Sequence, residues 1–217
     1  MCWNAPVSLA TFISSIIMCF YLWVRNLHND RILSIWIFWF ALMQLIEFFM
    51  WRDMKNHSLV SKLAFINILL QPFILSALLI FFYRKEKLHT KLEKIILFGI
   101  MAISLIKSLV GTFYAFITHK NNNWLSVKGP NCHLIWWFIN NDKKIPSIAS
   151  IDSFYIIPLL IAGALIKPFN QGLIYFLVAF ISFILIKIFY VKETGSLWCW
   201  IANIAGIIAI SMPYLKL

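Results

Sequence analysis

Gln44 and Glu47 stand out because they lie inside Ile32–Trp51, a run that is otherwise almost wholly apolar. The run matches the roughly 20 residues a helix needs to cross a bilayer. A carboxylate at that depth is costly and by default marks a functional position. Phe40, Gln44, Glu47 and Trp51 recur at helical spacing, so they share a face that should turn toward protein rather than lipid. With a rise of about 1.5 Å per residue, Glu47 lies about 6 Å from the end of its helix on the N-terminal side. Three further ionisable residues fall within apolar runs: Lys107 near the midplane, Asp152 at the start of its run, and Lys187 at a depth like that of Glu47. Two lone charges would each be costly, so Glu47 is expected to pair with Lys107 or Lys187. For Lys187 the competing expectation is a stem that snorkels to the headgroups.

Other polar and small residues extend the pattern. Ser104, Lys107, Ser108, Gly111 and Ala115 share one helical face. Cys199, Ala202, Gly206 and Ala209 share another, with Asn203 beside it. Small residues let membrane helices approach closely, and hydroxyls bond between them. Asn67, Gln71 and Pro72 sit together on a third run, where the proline withholds a backbone donor. As chemistry, this set predicts a polar cavity open toward the N-terminal side, lined by Gln44, Glu47, Lys107 and Asn203, with Lys187 as a further member of the buried polar core.

The elements that must position these residues follow from composition. The 217-residue chain is 62% hydrophobic and 12% charged, against about a quarter charged in a soluble domain. Lipid-exposed backbone must satisfy its own hydrogen bonds, and the alternating pattern of a membrane barrel is absent. The fold class expected is therefore all-α, a single membrane domain over 1–217. Seven spans are predicted: Pro6–Val24, Ile32–Trp51, Leu63–Tyr83, Ile95–Ile117, Ile151–Ile166 (short and carrying Pro158), Leu173–Val191 and Leu197–Tyr214. Short connections favour antiparallel neighbours and an up-and-down bundle. The exception is the long loop at 118–150, whose His133–Ile139 segment is apolar enough to lie along the membrane surface.

The net charge is +11. The basic residues cluster between apolar runs, so the expected partners are anionic lipid headgroups and not nucleic acid. Lys and Arg divide almost evenly between the two sides, and the positive-inside rule does not decide orientation. The dense run from Arg84 to Lys94 and a glycosylation sequon at Asn56-His57-Ser58 point to a non-cytoplasmic N-terminus. Cys2, Cys132 and Cys199 fall on the N-terminal side, with Trp3, Trp51, Trp124, Trp136, Trp137, Trp198 and Trp200. In an oxidising compartment Cys132 could pair with Cys2 or Cys199, and spacing does not choose between them. No paired Cys or His spacing supports zinc, and no cofactor is expected.

Several seven-helix families lack their residues here. The last run has no retinal-binding lysine, no DRY-type or NPxxY-type motif is present, and the histidines all lie in loops. One likeness remains. Met1-Cys2-Trp3-Asn4-Ala5-Pro6-Val7-Ser8, Arg25-Asn26 with Asn29-Asp30-Arg31, and Met43 to Trp51 resemble a family of small polytopic membrane proteins of large DNA viruses and microbial eukaryotes. The resemblance covers most of the chain. It implies a seven-helix membrane protein, makes Cys2, Trp3, Asn4, Gln44, Glu47 and Trp51 the family-like positions, and implies no substrate. The leading functional expectation is a transporter- or channel-like protein for a small solute or ion. The alternatives are a ligand- or partner-binding protein and a lipid-organising scaffold. No catalytic constellation meets the requirements of an enzyme.

Overall fold

The structure is a computed structural model and describes residues 4–83, 90–118, 124–141, 145 and 153–215. Asn4 starts the first helix by accepting a hydrogen bond from the Val7 amide at 3.1 Å. The helix α1 then runs over Ala5–Arg25 and stops at Asn26, whose left-handed backbone suits an asparagine C-cap. The long helices that follow are α2 (Asp30–Arg52), α3 (Ser58–Tyr83) and α4 (Lys91–Phe113), the last opened by a Thr90–Glu93 capping box and continued by a π-helical turn, Tyr114–Thr118. Helix α3 passes through Pro72 as one continuous helix.

On the N-terminal side comes a two-stranded antiparallel hairpin, β1 (Val127–Lys128) with β2 (Leu134–Ile135), and a single helical turn, α5 (Trp137–Asn140). Helices α6 (Ser153–Ala164), α7 (Phe169–Phe189) and α8 (Thr194–Ser211) complete the bundle. Among the described residues six helices are long and apolar enough to cross a membrane. The protein is thus an all-α, multi-pass membrane protein. Helix α6 falls within the expected fifth span, and its described part is 12 residues; residues 146–152 before it lie outside the described residues.

Helices α2 and α3 form the centre. Helix α2 packs on α1, α3 and α8, while α3 packs on α2, α4 and α6. The two small faces do what their composition predicts. Gly111 brings α4 so close to α3 that an added Cβ would press on Leu69 and Phe65, and Gly206 of α8 sits against Met18 of α1. Helices α1 and α7 present most of their surface outward, as lipid-facing helices must.

The end of the bundle away from the N-terminus is closed by a polar clasp. Arg25 holds both oxygens of Asp30 at 2.8 Å and also donates to the carbonyls of Ala209 and Ile210. Those carbonyls lie at the C-terminal end of α8, where backbone acceptors lack helical partners. Beside them, Asn29 reaches the Lys167 carbonyl and Gln171, Tyr83 donates to Asn29, and Lys167 pairs with Glu93 at 2.6 Å. One network therefore ties α1, α2, α3, α4, α7 and α8 together. Arg25 and the adjacent pair Asn29-Asp30 supply its centre.

The hairpin turn rests on a close approach. Gly129 donates to His133 O at 2.7 Å, and Asn131 N donates to Glu193 Oε1 at 3.0 Å. A Cβ on Gly129 would fall on that same carboxylate oxygen. Gly129→Ala is expected to cost about 1–3 kcal/mol by overpacking, concentrated in the hairpin. Hydrogen exchange at 124–141 should quicken while α2 and α3 stay protected; unchanged exchange in the hairpin would show that Glu193 simply swings away.

Candidate functional site

The site begins with Glu47 and Gln44, both fully buried on α2. Glu47 Oε1 accepts a hydrogen bond from Trp136 Nε1 at 2.9 Å, and Gln44 Nε2 reaches Glu47 Oε2 at 3.4 Å. Ser196 and Cys199, one turn apart on α8, also lie beside the carboxylate. No lysine or arginine among the described residues pairs with it. The expected ion pair is corrected: the partner of Glu47 is an indole N–H delivered by the long loop.

That loop is not an interfacial strip. Leu134, Ile135, Trp136 and Phe138 are buried in the core, as is Trp124. The physical reason is twofold. Outside lipid, burying an aromatic side chain still gains about 1.5–3 kcal/mol from water, and the buried carboxylate needs a donor. The residues 124–141 form a lid stitched to the bundle by polar bonds. Ser126 N donates to His57 Nε2 at 2.8 Å, and His57 Nδ1 lies 2.8 Å from Asp53 O. With Nε2 accepting the first bond, Nδ1 is the ring nitrogen placed to donate to the Asp53 carbonyl. Trp124 N donates to Ser58 Oγ at 3.1 Å. Trp124 stacks on Trp137 with centroids 4.3 Å apart, and the Lys62 ammonium lies over the Trp124 ring.

The lid needs room in α8. An added Cβ on Gly195 would overlap the six-membered ring of Trp136 and touch Ile139. Gly195 is thus what lets Trp136 lie across the first turn of α8 and reach Glu47. Nearby, burial pushes the His133 imidazole toward its neutral form, while the Glu193 carboxylate pulls the other way.

Beneath the lid lies a cavity of about 310 Å³, at the small end of the roughly 300–1,000 Å³ of small-molecule sites. Its walls come from α3 (Ile68), the lid (Ile135, Trp136, Phe138, Ile139), α6 (Tyr155, Ile156), α7 (Phe183, Lys187) and α8 (Gly195, Trp198, Cys199), with Lys192 in the α7–α8 connection. Tyr155 donates its hydroxyl to Gln71 Oε1 on α3. Gln71 Nε2 and Gln44 Oε1 are buried and have no hydrogen-bond partner among the described residues.

The expected polar core is only partly assembled. Gln44 and Glu47 meet. Lys107 is buried on α4, and the side chains that act on Glu47 are those of Trp136, Gln44 and Ser196. Asn203 meets Ser15 of α1 instead. Lys187 is exposed and belongs to the cavity rim, which corrects its place in the buried core: near the end of α7 its long stem reaches outward. Cys132 is disulfide-bonded. Cys199 and Cys19 are free and buried, so Cys199 is not the partner. Of the family-like positions, Asn4 caps α1 and Trp51 is half-buried, while Cys2 and Trp3, like Asp152, lie outside the described residues. Among the described residues no three metal-ligating side chains converge.

Sequence reasoning missed Trp136, Tyr155, Ser196 and Gly195. The cluster of tryptophans on the N-terminal side was the available signal for the first of these, but it reads as an interfacial belt. No protein-family model, curated protein or solved structure matches the chain.

Proposed function

We propose that this multi-pass membrane protein is carrier-like and takes a small molecule into the lidded cavity on its N-terminal side. The observation that carries the reading is the cavity itself: it is walled by α3, α6, α7, α8 and the lid, with a buried carboxylate behind the Trp136 wall. A solute entering there would displace or lift the lid. With a non-cytoplasmic N-terminus the cavity opens outward, and a disulfide at Cys132 fits an oxidising compartment on that side.

A second observation favours carriage over capture. Gln71 is 14 residues into the 26-residue α3, near mid-bilayer, and it joins Tyr155 of the cavity wall. Its free amide nitrogen and the free amide oxygen of Gln44 each leave about 1–3 kcal/mol of hydrogen bonding unmet. Such groups offer hydrogen bonds to a polar group of the solute or to water moving inward from the cavity.

The test uses the two free thiols. Cys199 lines the cavity, whereas Cys19 is buried near the other end of α1. A membrane-impermeant methanethiosulfonate applied from the N-terminal side of reconstituted protein should modify Cys199 and spare Cys19. Equal silence of both thiols in the folded protein would remove the cavity as an entry site.

A further inference from the structure

The cavity also carries the chemistry of its occupant, an inference that rests on the reading of this cavity as a binding site. We infer that the cavity binds a single-chain amphiphile with an anionic head, such as a medium-chain carboxylate, with its head at Lys187 and Lys192 and its chain directed toward Ile68.

Three observations lead there. The first is the charge of the lining. Its only ionisable cations or anions at neutral pH are Lys187 and Lys192, both exposed at the rim and both without an ion-pair partner among the described residues. Glu47 is screened from the cavity by Trp136, which already occupies one of its oxygens. The second is that most polar atoms in the wall are directed elsewhere. The indole of Trp136 donates to Glu47, Tyr155 donates to Gln71, and the Thr194 hydroxyl donates to backbone carbonyls of the preceding turn. What remains below the rim is mostly hydrocarbon and ring surface, with the Trp198 indole and the Cys199 thiol among it, which suits an alkyl chain better than a wholly polar solute.

The third is depth. Lys187 is two residues from the end of α7, about 3 Å along its axis. Ile68 is ten residues into α3, about 15 Å along its own. The cavity therefore runs from the interface, where an ammonium meets water and headgroups, down toward the middle of the bilayer. That is the orientation a carboxylate already has in a membrane. The volume of about 310 Å³ admits one chain and not the two of a phospholipid.

Cys199 in the wall provides the readout. Alkylation of Cys199 by N-ethylmaleimide is followed by mass spectrometry in a Cys19→Ser background, in phosphatidylcholine nanodiscs. Dodecanoate at about ten times the concentration that halves the rate should slow the reaction about tenfold, as occupancy of one site requires, and dodecylammonium at the same concentration should leave it nearly unchanged. In Lys187→Gln/Lys192→Gln the protection, measured against that variant's own rate without ligand, should disappear. Equal protection by dodecanoate and dodecylammonium would overturn the assignment of an anionic head. Protection by phosphatidylglycerol discs alone would overturn the single-chain assignment in favour of a two-chain lipid. A Cys199 that reacts readily but is unprotected by dodecanoate sinks this inference and leaves the cavity standing. A Cys199 that never reacts in the folded protein sinks the cavity reading first.

Discussion

Trp136→Ala is expected to destabilise the protein by about 3–5 kcal/mol, the range for emptying a buried aromatic site. Two losses combine. The ring is almost fully enclosed, with Phe138 of the lid and Gly195 of α8 against it. Its removal also strips Glu47 Oε1 of its N–H donor inside the bundle. The measurement is thermal or denaturant unfolding in detergent micelles. Trp136→Phe separates the two losses, since it keeps most of the ring and deletes the donor. It should cost about 1–3 kcal/mol, the penalty of a buried acceptor left unsatisfied. In a Glu47→Leu background the same Trp136→Phe change should cost far less, because no acceptor remains. A cycle that closes with no coupling would mean that shape alone seats the lid, and that Glu47 does not hold it.

At the opposite end of the bundle, Arg25→Met is expected to cost about 3–5 kcal/mol, as when one partner of a buried pair is removed. The Arg25 and Asp30 side chains are 12% and 4% exposed, so Asp30 would be left with little water to replace the guanidinium. The carbonyls of Ala209 and Ile210 would lose a donor as well. Arg25→Lys should fail to rescue, because one ammonium cannot serve two carboxylate oxygens and two carbonyls in the planar arrangement a guanidinium provides. The checks are folded yield and hydrogen exchange at the C-terminal end of α8, which should lose protection before α3 does. Melting of Arg25→Met within about 1 kcal/mol of the parent would show that the clasp is an ornament of a bundle already held by packing.

These two sites differ in how far the chain's own pattern foretells them. Arg25 and Asp30 are five positions apart, separated by a short connection, so their meeting is nearly local. Glu47 and Trp136 are 89 positions apart. Periodicity tells which face of α2 turns inward, and Phe40, Gln44 and Glu47 are indeed buried. It says nothing of which side chain from another element meets that face. Charge economy suggested a lysine. The folded chain brings an indole, because the lid at 124–141, with five buried aromatic or aliphatic positions, packs into the bundle end and carries the donor with it.

The sequence by itself determined the solvent of this protein and much of its skeleton. Apolar runs near twenty residues and small residues at helical spacing on α4 and α8 are local signals, and local physics acts on them directly. Tertiary structure alone decided that the described part of the long loop packs as a lid on the bundle end, and it chose between the two expectations for Lys187 by leaving it exposed at a rim. Helix α7 is apolar nearly all round, so its rotation about its own axis is set by contact with α6 and α8 and not by its pattern. The partner of Glu47 was likewise fixed by where the loop fitted. Burial obliges a carboxylate to find a donor, but only packing determines which one arrives.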